Sequence, residues 1–205
     1  MSEYTLYCFD KSGNAYKVAL MLNLADADWQ PRFVDFFNGE TDSAEFRRLN
    51  GMGEVPLLLH EDLVLSQSGV ILDYLAEKLG RFGPTNDSER REILRWILFD
   101  NHKLTSYTAT LRFLRTFTDQ GENEVTRFLE TRSKGALGIL DTQLGQTAFV
   151  IGDRLTIADF SVCGYLYYGD EIGIDFAEFP NILRWLDDLR NQPGWRHPYD
   201  LMPSA

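Results

Sequence analysis

The chain reads as an α/β domain followed by an all-α domain, and three observations lead there. Through about residue 80, short runs with strand character alternate with helical runs. After Gly83-Pro84 the patterns are long and helical. The composition of the 205 residues, 44% hydrophobic, 13% aromatic and 25% charged, is that of a folded globular chain. The boundaries that follow are residues 1–80 for the first domain, 81–87 for a linker and 88–205 for an all-helical C-terminal domain.

The elements of the first domain come in a readable order. Residues 4–9 (YTLYCF) have the pattern of a buried strand, and residues 14–25 place Val18, Leu22 and Ala25 on one helical face. Residues 32–37 (RFVDFF) read as a second strand. Residues 42–49 begin with a polar cap region and run as a short helix or irregular turn. Residues 55–60 and 63–66 flank Glu61-Asp62 as a hairpin, although Glu-Asp is not a favoured two-residue turn. Residues 67–79 then read as a helix closed by Gly80.

Beyond the linker, Asp87 or Ser88 can cap a long helix through Leu94, Ile97, Leu98, Leu104, Leu111 and Leu114 to about Thr118. Glu122-Asn123-Glu124 suits the start of the next helix, whose apolar face is Leu129, Ala136, Leu137, Leu140 and Leu144. Thr156-Ile157-Ala158-Asp159 has a capping-box layout for a helix through about Tyr165, with Asp159 read as structural. Pro180 opens a last helix carrying Ile182, Leu183, Leu186 and Leu189.

Several functions are disfavoured by composition alone. A net charge of −11, with neither half basic, works against DNA, RNA or anionic membranes as partners. No run approaches the ~18 apolar residues of a membrane span, and no secretory leader is visible, so a cytoplasmic protein is expected. Cys8 and Cys163 are too few for a disulfide framework and read as packed core. His60, His102 and His197 lack metal-ligand spacing, so no metal is expected.

A β-α-β half followed by a hairpin and helix is the plan of a thioredoxin-like domain. Pro56 opens that hairpin, and on Val55-Pro56 alone it is either an ordinary proline at the start of a strand or a cis bond that exposes its neighbour's backbone. Four segments then carry a resemblance over nearly the whole chain: residues 12–18 (SGNAYKV), 53–56 (GEVP), 65–75 (LSQSGVILDYL) and 152–159 (GDRLTIAD). In this order they resemble the cytosolic glutathione transferase family, in particular bacterial members of serine type or similar to the nu-like members with Thr-x-Asn. The resemblance implies a thioredoxin-like glutathione-binding domain joined to a helical bundle, glutathione as co-substrate and a homodimer.

On that resemblance the residues take roles. Ser12, assisted by Asn14, stabilises the thiolate from a helix N-terminus, although both also suit a plain helix cap. No cysteine pair occupies this turn, which excludes dithiol exchange by the protein's own thiols there. Gln67 and Ser68, at the start of a helix, can bind the γ-glutamyl group or merely cap. Val55, beside a cis Pro56, can pair with the cysteinyl backbone. Glu54 departs from the family's pattern, since an acid there repels the glycyl carboxylate: either glutathione binds weakly or, as expected here, Glu54 points away while Lys11 or a residue around Phe37 and Asn38 receives that group. Asp100 is expected either to reach across a dimer interface towards the γ-glutamyl amine or to be a solvated helix-face acid. Tyr107, Leu111, Arg112 and Tyr165 line an electrophile pocket or belong to the core.

The function implied is a glutathione transferase that activates the thiol for attack on a small hydrophobic electrophile. Two alternatives stand beside it: a glutathione-dependent disulfide-bond reductase or peroxidase, and a non-catalytic binding platform on the same fold, for which Glu54 is the main support.

Overall fold

Along β1 (Tyr4–Cys8) burial alternates, with Tyr4, Leu6 and Cys8 in the core, because successive side chains point to opposite faces of the sheet and one face is the more deeply buried. A computed structural model describes residues 2–205 of the chain. After β1 comes α1 (Gly13–Leu24), whose side chains from Ala15 to Leu22 are buried on every face because the helix packs against β1, a later helix and the C-terminal segment. The second strand, β2 (Trp29–Phe33), lies at the edge of the sheet. It begins and ends earlier than the expected 32–37. Pro31 fits mid-strand because it lacks an N–H and an edge strand has an unpaired side, while residues 36–38 leave the sheet as a 3-10 turn closed by Gly39 at φ 78°.

After α2 (Ala44–Leu49), β3 (Leu57–His60) and β4 (Leu63–Ser66) form the expected hairpin, with Glu61 in the left-handed region at φ 51°. The sheet order is β2-β1-β3-β4, with β1 parallel to β2, antiparallel to β3, and β3 antiparallel to β4. Helix α3 (Ser68–Leu79) follows and ends at Gly80 with φ 62°, as predicted.

The helical part contains α4 (Asp87–Phe99), α5 (Thr105–Phe117) and α6 (Glu124–Leu144). The single helix expected over 88–118 is interrupted by a π-turn, Asp100–Leu104. Asp100 is wholly buried, and its carboxylate accepts from Thr105 Oγ1 at 2.7 Å and Ser161 Oγ at 2.8 Å. Asp100 and Thr105 lie on different faces of an ordinary α-helix, and the wider i→i+5 turn brings them together. Asp100 is therefore not the solvated acid allowed for above, and burial within one chain leaves its carboxylate no path to a second copy.

Helix α7 (Ile157–Cys163) stops short of Tyr165 at Gly164; α8 (Gly169–Ile172), α9 (Pro180–Arg190) and α10 (Pro198–Leu201) complete the chain. The start of α7 has the predicted capping box: Asp159 accepts from Thr156 N at 2.8 Å and also from Val150 N at 2.8 Å and Trp185 Nε1 at 3.0 Å.

By packing, the chain divides into one unit running to Gly83 and completed by Gln192–Ala205, and a second unit, Pro84–Asn191. The last fourteen residues thus belong with the sheet rather than with the helices, where the boundaries 88–205 put them. Asp10 N donates to Pro203 O at 2.9 Å, Tyr16 Oη to Arg196 O at 2.9 Å, and Asn23 Nδ2 to Gly194 O.

Candidate functional site

A tight turn joins β1 to α1 in the first unit. Its Ser12 N–H donates to Phe9 O at 3.0 Å, and the buried Ser12 side chain is the N-cap of α1, its Oγ accepting from Ala15 N at 3.2 Å. That bond occupies oxygen lone-pair density and leaves the hydroxyl proton to donate elsewhere. No acidic residue lies in the first turn of α1, so the positive end of the helix is not neutralised by its own side chains. Asn14 is half-buried, and its Oδ1 has no hydrogen-bond partner among the described residues. Lys11 pairs with the buried Asp10 at 3.2 Å while its ammonium stays partly exposed. Burial pushes the Cys8 thiol up to about 12, so it stays protonated and inert at neutral pH, in agreement with its place in the core.

A second loop in the same unit carries the Val55-Pro56 peptide, which is cis. Pro56 is buried, and Val55 packs against the cluster of Val34, Phe46 and Leu57. Asn50 holds this loop by donating from Nδ2 to Glu54 O at 2.9 Å while its Oδ1 accepts from Met52 N at 3.1 Å. The sequence reading missed Asn50, although Asn50-Gly51 is a recognisable turn signal.

Gln67 joins this loop to α3. It stands at φ 68° before the helix, and its Nε2 donates to Glu54 Oε2 at 3.0 Å and to Met52 Sδ at 3.2 Å. Glu54 is thus turned to Gln67 beside the first residue of α3, the buried Ser68. The structure brings together Glu54, Gln67 and the Asn50–Met52 turn, and separately Lys11, Ser12 and Asn14. Asn38 does not keep a donor for an incoming carboxylate: its Nδ2 donates to both oxygens of Asp35, at 3.0 and 2.8 Å.

In the second unit the proposed pocket residues separate. Arg112 is 2% exposed and donates to Glu171 from Nε at 3.0 Å and Nη2 at 2.8 Å, with its guanidinium 3.7 Å from the Tyr168 ring centroid. A buried guanidinium needs such partners, so Arg112 serves the packing of α5 against α8 and lines no open pocket. Leu111 is core as well. Tyr107 stays half-buried, its hydroxyl accepting from Arg132 Nη2 at 3.3 Å. Among the described residues no group of three or more histidine, cysteine or acidic side chains could hold a metal ion.

Residues 2–77 match the family model for the N-terminal domain of glutathione S-transferase, and residues 103–193 match that for its C-terminal domain. Glutathione S-transferase 1 of Dianthus caryophyllus is 29% identical over 89% of this chain and 85% of that protein. The crystal structure of a glutathione S-transferase from Pseudomonas fluorescens Pf-5 superposes with a TM-score of 0.89 at 31% identity, covering 96% of this chain and 99% of that one. A glutathione transferase of Burkholderia graminis, solved with two glutathione molecules per subunit, has a TM-score of 0.84 at 25% identity, covering 94% of this chain and 85% of that one.

Proposed function

The chain belongs to the glutathione S-transferase family, and from that premise we propose that it activates the thiol of glutathione at Ser12 for attack on a small hydrophobic electrophile. The observation that carries this reading is the N-cap geometry of Ser12, whose oxygen accepts from Ala15 N and whose proton remains to be donated to an anion. Lowering a thiol from ~8.5 to ~6.5 takes about 2.7 kcal/mol. One hydrogen bond to a charged acceptor contributes ~1.5–3 kcal/mol and a helix end ~0.3–1 kcal/mol, so the hydroxyl must supply most of the shift.

The other residues take places around that sulfur. Ser68 and the free backbone N–H groups at the start of α3 hold the γ-glutamyl carboxylate, Gln67 uses its side-chain amide to position Glu54, and Val55 pairs with the cysteinyl backbone. Glu54, held by Gln67, takes the γ-glutamyl ammonium, which turns its charge from a liability into a contact. Lys11 receives the glycyl carboxylate. Asp100 and Arg112 have no part in binding, and Tyr107 remains the electrophile-side candidate of the helical unit. The sulfur lone pair forms the new bond to carbon, the leaving group departs with its electron pair, and the thiol proton passes to solvent. Assembly as a cytoplasmic homodimer belongs to the same reading.

The test is the absorbance of the bound thiolate titrated against pH. In Ser12→Ala the midpoint rises by about 1–2 units, the equivalent of one charged hydrogen bond. An unmoved midpoint leaves Ser12 as a helix cap and removes the mechanism. Loss of retention on immobilised glutathione in Ser68→Ala tests the binding half.

A second reading, glutathione-dependent disulfide reduction, draws on the Burkholderia graminis relative that holds two glutathione molecules. The activated thiolate would attack one sulfur of a mixed disulfide and expel the other thiolate. Rates on an aryl halide and on a mixed glutathione disulfide at equal enzyme separate the two.

A further inference from the structure

We infer that Met52 is a site of reversible oxidation by peroxides, and that its sulfoxide weakens glutathione binding by pulling Gln67 off Glu54; this rests on the reading that Glu54 takes the γ-glutamyl ammonium. Among the described residues the sulfur-bearing side chains are Cys8, Met21, Met52, Cys163 and Met202, and all but Met52 are buried. Met52 is 59% exposed. An oxidant arriving from solvent therefore meets this thioether first, since oxidation at sulfur follows exposure. The sulfur is also engaged. Gln67 Nε2 donates to Met52 Sδ at 3.2 Å and to Glu54 Oε2 at 3.0 Å, so both hydrogens of its amide are in use.

The backbones on both sides of this contact are held. Met52 N donates to Asn50 Oδ1 at 3.1 Å, Gly53 N to Asn50 O at 2.9 Å, and Arg47 Nη1 to Gly51 O at 3.0 Å. Gln67 stands at φ 68°, where a residue with a Cβ has little room to move. A change at the sulfur therefore falls on the side chains. In the oxidation a sulfur lone pair attacks one peroxide oxygen, the O–O bond breaks and an S–O bond forms. With hydrogen peroxide the departing hydroxide takes the proton left on the transferred oxygen and leaves as water; the methionine gives up two electrons and the peroxide receives them. A thioether is a weak acceptor, whereas a sulfoxide is polar and its oxygen accepts well. The two N–H bonds of a planar amide point in fixed directions, so re-aiming one at the new oxygen turns the other off Glu54. Glu54 keeps its charge but loses the bond that aims it.

The test uses the full chain as wild type, Met52→Leu and Met52→Gln, each before and after hydrogen peroxide that is then removed with catalase. Peptide mass spectrometry locates the added oxygen, light scattering gives the mass in solution, and calorimetry measures S-methylglutathione, whose capped sulfur separates binding from thiol activation. Wild type gains an oxygen at Met52 and binds about tenfold more weakly, the worth of one hydrogen bond to a charged group. Methionine sulfoxide reductase with dithiothreitol restores the binding. Met52→Leu binds equally before and after peroxide, and Met52→Gln, with an amide oxygen in place of the sulfur, binds more weakly than wild type without any peroxide. No oxygen at Met52, or oxygen there with unchanged binding, overturns the Met52 switch and leaves the readings of Ser12 and Glu54 standing. Weakening that persists in Met52→Leu, full binding by Met52→Gln, or a changed solution mass overturns it as well. If untreated wild type binds no S-methylglutathione, the glutathione reading itself fails and the switch falls with it.

Discussion

Ser12 and Asp159 each cap the first turn of a helix, but their surroundings give them different work. Ser12 is neutral, so capping α1 leaves it a proton to donate. Asp159 is a carboxylate sealed in the core, where burial pushes it up to about 6 against the opposing pull of its bonds from Val150, Thr156 and Trp185. Its folded value lies above its unfolded ~3.9, so the folded chain binds the extra proton between those limits. The stability it contributes is fully present below about pH 4, declines as pH rises towards 6, and is flat above. Asparagine at 159 has one acceptor oxygen in place of two, so it cannot keep the bonds from Val150, Thr156 and Trp185 together, and it does not titrate. Asp159→Asn should therefore lose about 1–3 kcal/mol at pH 7, and its deficit relative to wild type should widen as the pH is lowered to 5. Urea unfolding of both proteins at the two pH values measures this, and a deficit that narrows would contradict the assignment.

At the scale of elements, the π-turn between α4 and α5 is the departure with the clearest cause. Asp100 accepts from Thr105 across the widened turn and from Ser161 on α7, so one carboxylate ties three segments of the second unit together. Removing one donor leaves part of a buried carboxylate unpaired, and Ser161→Ala should cost about 1–3 kcal/mol in urea unfolding. The midpoint of the glutathione thiolate should stay where it is, because Asp100 works on packing and not on chemistry. A shifted midpoint would return Asp100 to the binding machinery.

At the scale of the whole molecule, the chain end is part of the unit that carries Ser12. Pro203 O accepts from Asp10 N, two residues before Ser12, and Arg196 O accepts from Tyr16 on the first turns of α1. A chain ending at Asn191 should therefore lose retention on immobilised glutathione and melt at lower temperature, although it keeps Ser12, Val55, Gln67 and Ser68; undiminished retention would show that the tail is dispensable to the site. What the sequence by itself determined were the features written in local chemistry: the strand-helix alternation, the caps at Ser12, Thr156 and Gly80, and through four motifs the family. Each depends on neighbours a few residues apart, where backbone geometry and hydrogen-bonding choices are short-ranged. The tertiary structure decided what depends on residues far apart in the chain. Burial took Asp100 and Arg112 out of the candidate site, a side-chain bond turned Glu54 to Gln67, an edge position admitted Pro31 into β2, and backbone bonds drew the last residues to the sheet. A charge, a proline or a tail has a meaning set by what lies against it, and only the folded chain brings those partners within reach.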